Sequence, residues 1–474
     1  MFLLIVNLLT IKLISQSSFE FILYDSVSSI CYDTFQDNDG YFISVGTTTT
    51  YNFDGNGLIL KFKGPDNIIT KVIEKPDSII GFGLGFQKSN GNYFIIGGVD
   101  KNNTYYKKNL YIIELNTDML MVNQHIHPIP TEYGSFAIGD FLITSDNKVI
   151  LAGYVNDYDP GGWEHYLCMI ELDMDGNLIN MKISQEYKYE LMSELIENPQ
   201  ENGYYIIGDE YYYSMLKLDK DLNVTGKILM DPNNTYYTPI GAKWLSSGNI
   251  ITGSLAGGIN NYYDLMVKIC DTNLNVIKDT IIVDAGMNVL PAYRGLDFID
   301  EDNIWMVTYP QYGKNTEEWQ LGRIYLFDSE LNVKGSKYFG DMKSLYLCSI
   351  SATDDGGCII TGEAADGQNK GYTDVYIKKV KPEDIFTSAE DTPDINDMDV
   401  LLYPVPFEDV LYVETFRKGL TITVYSSNGV NTLSNKKLDI PYTAIQTSDL
   451  KSGLYFYSVF ENTELIQSGK IIKK

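Results

Sequence analysis

Basic charge is scarce in this sequence. Lysine and arginine number 36 against 63 aspartates and glutamates, a formal net charge of −27. A surface of that sign repels phosphate backbones and anionic membranes, so no nucleic-acid partner is expected. Histidine is scarcer still, with only His125, His127 and His165. The five cysteines, Cys31, Cys168, Cys270, Cys348 and Cys358, form no C-x-x-C. An odd number of them in apolar runs reads as buried thiols, with a Cys348–Cys358 pair across one hairpin as the alternative. Gly-x-Ser-x-Gly, His-Glu-x-x-His and phosphate-loop motifs are missing. No apolar run reaches the roughly 20 residues that cross a bilayer, so no transmembrane segment is expected.

The chain does have length, tyrosine and repetition. Its 474 residues exceed one ordinary core and require several domains or a repeat array. Thirty-seven tyrosines and 13% aromatics favour strands. Residues 1–17 are expected to be an export leader: Met1–Ser15 is apolar, too short to span, and followed by small residues at Ser17 and Ser18. A first strand is the competing reading. An apolar run then recurs and reads as a buried strand ending at Gly46, Gly97, Gly153, Gly208, Gly253, Thr308 and Gly362, at spacings of 51, 56, 55, 45, 55 and 54 residues. Turn pairs such as Asp39-Gly40, Asn90-Gly91 and Gly356-Gly357 precede most of the runs, and a third strand follows each. Four of these third strands lead into tight turns at Asp173–Asn177, Asp219–Asn223, Asp271–Asn275 and Asp328–Asn332.

Four strands per unit of this length describe one blade of a β-propeller. The expected fold is all-β: a seven-bladed β-propeller over 18–385, a linker over 386–398, and a small immunoglobulin-like β-sandwich over 399–474. A parallel β-helix is the runner-up. The seventh unit runs out of chain before its fourth strand. Phe21–Asp25 lies 316 residues before Lys337–Asp341, the same offset as Gly46 from Gly362, so Phe19–Tyr24 is expected to pair antiparallel with Val375–Val380. Asp355-Gly356-Gly357-Cys358-Ile359-Ile360-Thr361-Gly362 and Lys217-Leu218-Asp219 carry a resemblance to a propeller repeat of exported bacterial proteins.

Residues beyond 399 follow another pattern: Tyr403-Pro404-Val405-Pro406-Phe407, a Gly turn at Gly429, Leu450-Lys451-Ser452-Gly453-Leu454-Tyr455, and a basic end from Lys470. This stretch resembles the type A C-terminal sorting domain of the type IX secretion system, with Val405 in place of the family's Asn. An unrelated adhesive sandwich is the alternative. The resemblance implies the type IX secretion machinery as partner, and delivery through the periplasm to the medium or the outer cell surface. Tyr403, Pro404, Pro406, Phe407, Gly429, Leu450, Gly453, Tyr455 and Lys470 are the motif positions.

Sites of chemistry are harder to find. His125 and His127 share one strand face as a possible metal pair, but no third ligand is apparent. Asp173–Asn177 has a faint calcium-loop look, with Ser184 where the closing Glu belongs. The sialidase-type Ser-x-Asp-x-Gly-x-x-x-Trp boxes are absent. Loop carboxylates Glu164, Asp209, Glu210, Glu317 and Glu318 offer no selected pair. No cofactor is expected. Aromatic loops between second and third strands stand out: Tyr105, Tyr154, Tyr158, Trp163, Tyr212, Tyr262, Tyr263, Tyr312, Trp319 and Tyr372. Such rings suit a glycan or protein ligand, against the alternative that they pack between loops. The expected protein is a monomeric, non-enzymatic binding module. A propeller-fold glycosidase or lyase, and a structural module without a ligand, are the rivals.

Overall fold

The computed structural model describes residues 17–23, 28–49, 55–101, 108–130, 132–157, 164–188, 191–198, 203–209, 213–229, 239–257, 263–282, 288–311, 322–340, 344–365, 373–385, 400–403, 407, 409–415, 419–426, 431–438, 442–462 and 464–474. All but the last residue of the expected leader, and the whole of the expected linker, lie outside these residues. The chain falls into two compact units, Met1–Phe386 and Thr387–Lys474.

The first unit is built of antiparallel four-stranded sheets that resemble propeller blades. Their first strands, in chain order, are Ser28–Gln36, Ser78–Gln87, Tyr133–Ile143, Leu191–Asn198, Pro239–Trp244, Asn288–Asp297 and Ser344–Ala352. The second strands contain the apolar runs: Phe42–Thr49, Tyr93–Lys101, Lys148–Asp157, Gly203–Asp209, Ile250–Gly257, Ile304–Gln311 and Cys358–Ala365. Third and fourth strands follow in order, as in Gly55–Phe62 and Ile69–Ile73 of the first sheet. One parallel pairing, Arg294 with Ser349, joins the first strands of the sixth and seventh sheets.

The seventh sheet takes its fourth strand from the other end of the chain. Phe19–Leu23 pairs antiparallel with Thr373–Val380, from Phe19 opposite Lys379 to Leu23 opposite Val375. The Phe21 ring also meets Phe62 of the first sheet edge-on at 5.5 Å.

The runs are apolar throughout because each second strand feeds two cores. In the third sheet Val149, Leu151 and Val155 pack with the second sheet, while Ile150 and Ala152 pack with the fourth. In the sixth, Ile304 and Met306 face the fifth sheet, and Trp305 and Val307 the seventh. Alternate side chains point to opposite faces, so a strand covered on both sides needs apolar residues at every position. Each consecutive pair of sheets shares such a core. A further one joins Cys31, Phe42, Leu58, Leu60 and Phe62 of the first sheet to Ile359, Val375 and Ile377 of the seventh. Each fully buried Ile, Leu or Phe contributes roughly 1.5–3 kcal/mol.

The glycines that close the runs do not end the strands, contrary to the sequence reading. Each strand continues past its glycine, which sits opposite a bulge in the first strand. The register slips between Cys31 and Asp33 opposite Gly46, and between Ile138 and Asp140 beside Gly153. A Cβ on Gly46 would lie 1.9 Å from the Ile30 carbonyl oxygen, and one on Gly153 2.2 Å from that of Ala137. Close backbone approach, not turn geometry, selects glycine here.

The four tight turns form as expected. In each, the Asp accepts two backbone N–H bonds, and the Asn amide returns to the same carboxylate at 2.8 Å. Leu222, Leu274 and Leu331 hold left-handed φ near +60° in three of them, and all are buried. That conformation costs about 1–2 kcal/mol. Burying a leucine contributes roughly 1.5–3 kcal/mol, so burial wins.

The second unit has a three-stranded and a four-stranded sheet. They share one core containing Phe407, Leu411, Val413, Ile422, Val424, Tyr455, Val459 and Ile471.

Candidate functional site

The bulges set up a polar cluster among the first strands. Just past its bulge, the first sheet carries Asp33, the third Asp140 and the fourth Glu194. The sixth carries Arg294 in an irregular stretch, where the six residues from Pro291 to Leu296 lie opposite the three from Thr308 to Met306 on the second strand. The Arg294 guanidinium lies 3.2 Å from the Asp33 carboxylate and 3.4 Å from that of Asp140. One side chain of the sixth sheet therefore reaches both the first and the third.

These carboxylates also stitch sheet to sheet. Gly85 N–H of the second sheet donates to Asp33 at 3.4 Å, and Leu195 N–H of the fourth to Asp140 at 2.7 Å. Ala352 N–H of the seventh donates to Asp297 of the sixth at 2.7 Å, while Lys243 of the fifth donates to the other Asp297 oxygen at 2.6 Å. Trp244 Nε1–H donates to the Glu197 carbonyl at 2.7 Å, and the Ser351 hydroxyl to the Thr34 carbonyl at 2.6 Å. Burial pushes Asp33 and Asp140 above the usual carboxylate range, with Arg294 pulling the other way. Glu194 is pushed well up by burial, reinforced by the Asp140 charge. Burial also opposes the Arg294 charge, but the surrounding carboxylates outweigh it and push its pKa up. A carboxylate cluster without that guanidinium would hold several buried like charges, which is strongly unfavourable.

Beside the cluster lies a cavity of about 390 Å³ at the C-terminal ends of the first strands. Glu194, Lys243, Trp244, Arg294, Leu296 and Asp297 are among its lining residues. That is the end of the first hairpin turns. Glu194 forms no hydrogen bond or ion pair with another described residue, unlike its neighbours.

Of the aromatic candidates, Tyr105, Tyr158, Trp163, Tyr212, Tyr262, Tyr312, Trp319 and Tyr372 lie outside the described residues. Tyr154 stacks on His165 at 4.5 Å, and Tyr263 begins the third strand Tyr263–Cys270 of the fifth sheet. Among the carboxylates considered, Glu164 accepts a bond from the Tyr166 hydroxyl at 2.6 Å. Asp209 ends a second strand, and Glu210, Glu317 and Glu318 lie outside the described residues. His125 and His127 stack at 5.8 Å against the neighbouring turn, where His127 Nε2 meets the Gly176 carbonyl at 2.8 Å. Asp173 directs its oxygens to its own turn. All five cysteines are buried and free, and Cys348 and Cys358 are unpaired. Among the described residues no group of three or more His, Cys, Asp or Glu is placed to hold a metal, and no helix is long and apolar enough to cross a membrane. Sequence reasoning missed Asp33, Asp140, Glu194 and Arg294. Their one sequence signal is a charge inside the first strand of the unit.

In the second unit the motif residues meet the chain end. Phe407 is fully buried; its N–H donates to the Ile472 carbonyl at 2.8 Å, and Lys474 N–H donates back to its carbonyl at 2.9 Å. Lys473 pairs with Asp409 at 3.5 Å. The Tyr455 hydroxyl donates to the Lys451 carbonyl at 2.8 Å, and Leu450 packs on the core. Tyr403 pairs with Tyr412, Gly453 opens the next-to-last strand opposite Lys473, and Lys470 is exposed opposite Phe456. Pro404, Pro406 and Gly429 lie outside the described residues. The model of the secretion system C-terminal sorting domain family matches residues 401–474. The C-terminal segment is a type IX sorting domain. A sorting domain of this kind places its chain at the outer cell surface or in the medium, and makes the secretion machinery its partner.

No curated protein matches the sequence. Among solved structures, a puromycin hydrolase is 10% identical at a TM-score of 0.47, over 81% of this chain. The chain spans 58% of that hydrolase. A protein of unknown function from Dyadobacter fermentans is 8% identical at a TM-score of 0.45, over 77% of this chain and 98% of its own. PorZ, a surface component of the type IX secretion system of Porphyromonas gingivalis, is 9% identical at a TM-score of 0.24, over 94% of this chain and 81% of its own.

Proposed function

We propose that the exported part of this chain, from about residue 18 to 385, is a closed seven-bladed β-propeller that acts as a non-enzymatic binding module. Residues 399–474 deliver it. The cyclic set of cores carries the reading: each sheet shares one with the next, and the seventh shares one with the first. Arg294 reaching Asp33 and Asp140 from a third sheet fits first strands lining a common channel. Strand Phe19–Leu23 completes the last blade by covering the edge of Thr373–Val380, which would otherwise lack its outer partner.

A binding role fits the state of the central acids. Asp33, Asp140 and Asp297 each hold a neighbouring sheet through a backbone N–H, so none is free to act as a general base. The proposed ligand surface is the aromatic-loop end, around Tyr158, Trp163, Tyr312 and Trp319, with a glycan or a protein as ligand. A screen of the purified full chain against glycan and secreted-protein arrays tests this. Replacing those four residues by Ala should abolish the strongest signal and leave the melting temperature within a few degrees. No signal from the wild type, or an unchanged one from the variant, removes the proposal.

One observation favours a glycosidase or lyase instead: Glu194, a carboxyl held toward its protonated form beside a cavity, is the kind of group that serves as general acid. The reading lacks a second uncommitted carboxylate among the described residues that line the cavity. Turnover of polysaccharides that vanishes in Glu194→Gln would establish it.

A further inference from the structure

We propose that the cavity at the first-hairpin end of the first strands is a binding site for a primary alkylammonium group, with Glu194 as its counter-ion. This deepens the binding-module reading and rests on it, but uses the opposite end of the strands from the aromatic loops. Charge selects the guest first. Glu194, Glu197 and Asp297 line the cavity, and Asp33 and Asp140 lie behind Arg294. Against these five carboxyl groups stand Arg294 and Lys243. Both cations are already engaged: Arg294 with Asp33 and Asp140, Lys243 with Asp297 and the Phe298 carbonyl. An anionic guest finds no free cation and a field of its own sign.

The engaged groups then narrow the site to one residue. Asp297 holds Lys243 and Ala352 N–H, and the Ser351 hydroxyl holds Thr34. The Glu197 side chain accepts from the Ser145 hydroxyl at 3.2 Å. Among the described residues that line the cavity, Glu194 alone retains a carboxyl without a hydrogen-bond or ion-pair partner. A single free carboxylate is too few for calcium, which takes six to eight oxygens. It suits a monovalent cation with donor hydrogens, whose arrival favours the ionised carboxylate and releases to solvent the proton that burial holds there. The remaining walls decide the rest of the guest: Ile196, Leu296, Ile350 and Trp244 give an apolar lining, which fits an alkyl chain rather than a hydrated ion. An ammonium carried on a short alkyl stem satisfies both halves of the cavity. A free amine and the end of a lysine side chain present the same chemistry.

Calorimetric titration of the full chain with four probes tests the site. n-Butylammonium should bind with a Kd of roughly 1 mM, in keeping with the affinity a few heavy atoms can reach. 1-Butanol and butyrate should bind at least about tenfold more weakly, the factor that one charge interaction of ordinary size supplies. N-acetyl-lysine methylamide separates the sources: tighter binding than n-butylammonium assigns the cavity to a lysine side chain, and weaker binding assigns it to a free amine. Glu194→Gln keeps the shape and should lower n-butylammonium affinity tenfold or more. The Tyr158→Ala and Trp163→Ala variants should leave it unchanged, so failure here is separable from failure at the aromatic loops. Equal binding of n-butylammonium and 1-butanol overturns the proposal, as does full retention in Glu194→Gln. If that variant does not fold, the charge series on the wild type still decides.

Discussion

The first strands of the third and sixth sheets occupy the same place in the repeat and are built oppositely. The third has a single-residue bulge, Gly153 opposite it, and an aspartate just beyond, Asp140. The sixth has Thr308 in place of the glycine, a longer irregularity, and Arg294. The difference has a physical cause. Where the bulge brings a carbonyl against the neighbouring strand, only glycine fits. Where the first strand wanders further, a threonine is accommodated and a long side chain can reach across. The unit that departs most from the repeat is the one that ties the others together.

Removing Arg294 should break this contrast most severely. Arg294→Ala would leave Asp33 and Asp140 as buried acids without their cation, a loss of about 3–5 kcal/mol. Denaturant unfolding of the full chain, followed by far-ultraviolet circular dichroism, would show it. Changing Asp33 and Asp140 to Asn in the same background should recover part of the loss. A single Arg294→Ala within 1 kcal/mol of wild type would mean the cluster contributes little.

Gly153→Ala should come next, at about 1–3 kcal/mol, because its Cβ would sit on the Ala137 carbonyl. Thr308→Gly in the sixth sheet should cost less, about 1 kcal/mol, from backbone freedom and the lost side chain. Reversal of that order would contradict the account of the bulges.

A turn substitution sharpens the comparison from outside the cluster. Asp219→Ala removes a carboxylate that accepts two backbone N–H bonds and the Asn223 amide. It should cost about 1 kcal/mol, the ordinary net value of such bonds at an exposed turn. Melting temperature reports it.

Glu194→Gln should have the smallest effect, and one that depends on pH. The carboxyl's pKa is raised in the folded state above its usual 4.5, so the folded protein binds this proton more tightly than the unfolded chain. The stability it contributes is present below the unfolded value and is lost as pH rises through the folded one. Glutamine cannot ionise, so the variant should match wild type near pH 4 and melt higher by about 2 °C near pH 8. A gap that widens toward acid instead would mean the carboxylate is stabilised, not strained.

The same comparison explains what could be read from the sequence. Period, hairpin turns and the pairing of Phe19–Leu23 with the last third strand were legible, because each rests on local pattern or on the repeat offset. The glycines were found but misread as strand ends, since the carbonyl facing Gly46 comes from Ile30 on another strand. The cluster was not legible. Asp33, Asp140, Glu194 and Arg294 are single charges far apart in sequence, and nothing local announces that bulges aim them at one place. The sorting domain was legible for the opposite reason: Phe407 and the chain end carry recognisable residues at fixed order.

A double-mutant cycle between Arg294 and Asp140 tests the central claim most directly, that strands 154 positions apart meet at one charge pair. Unfolding free energies of wild type, Arg294→Met, Asp140→Asn and the double variant are compared under one buffer. A coupling energy of roughly 2 kcal/mol is expected for a buried pair in contact. A coupling below about 0.5 kcal/mol, the additivity limit for separate sites, would contradict the meeting of these sheets and with it the proposed closure of the propeller.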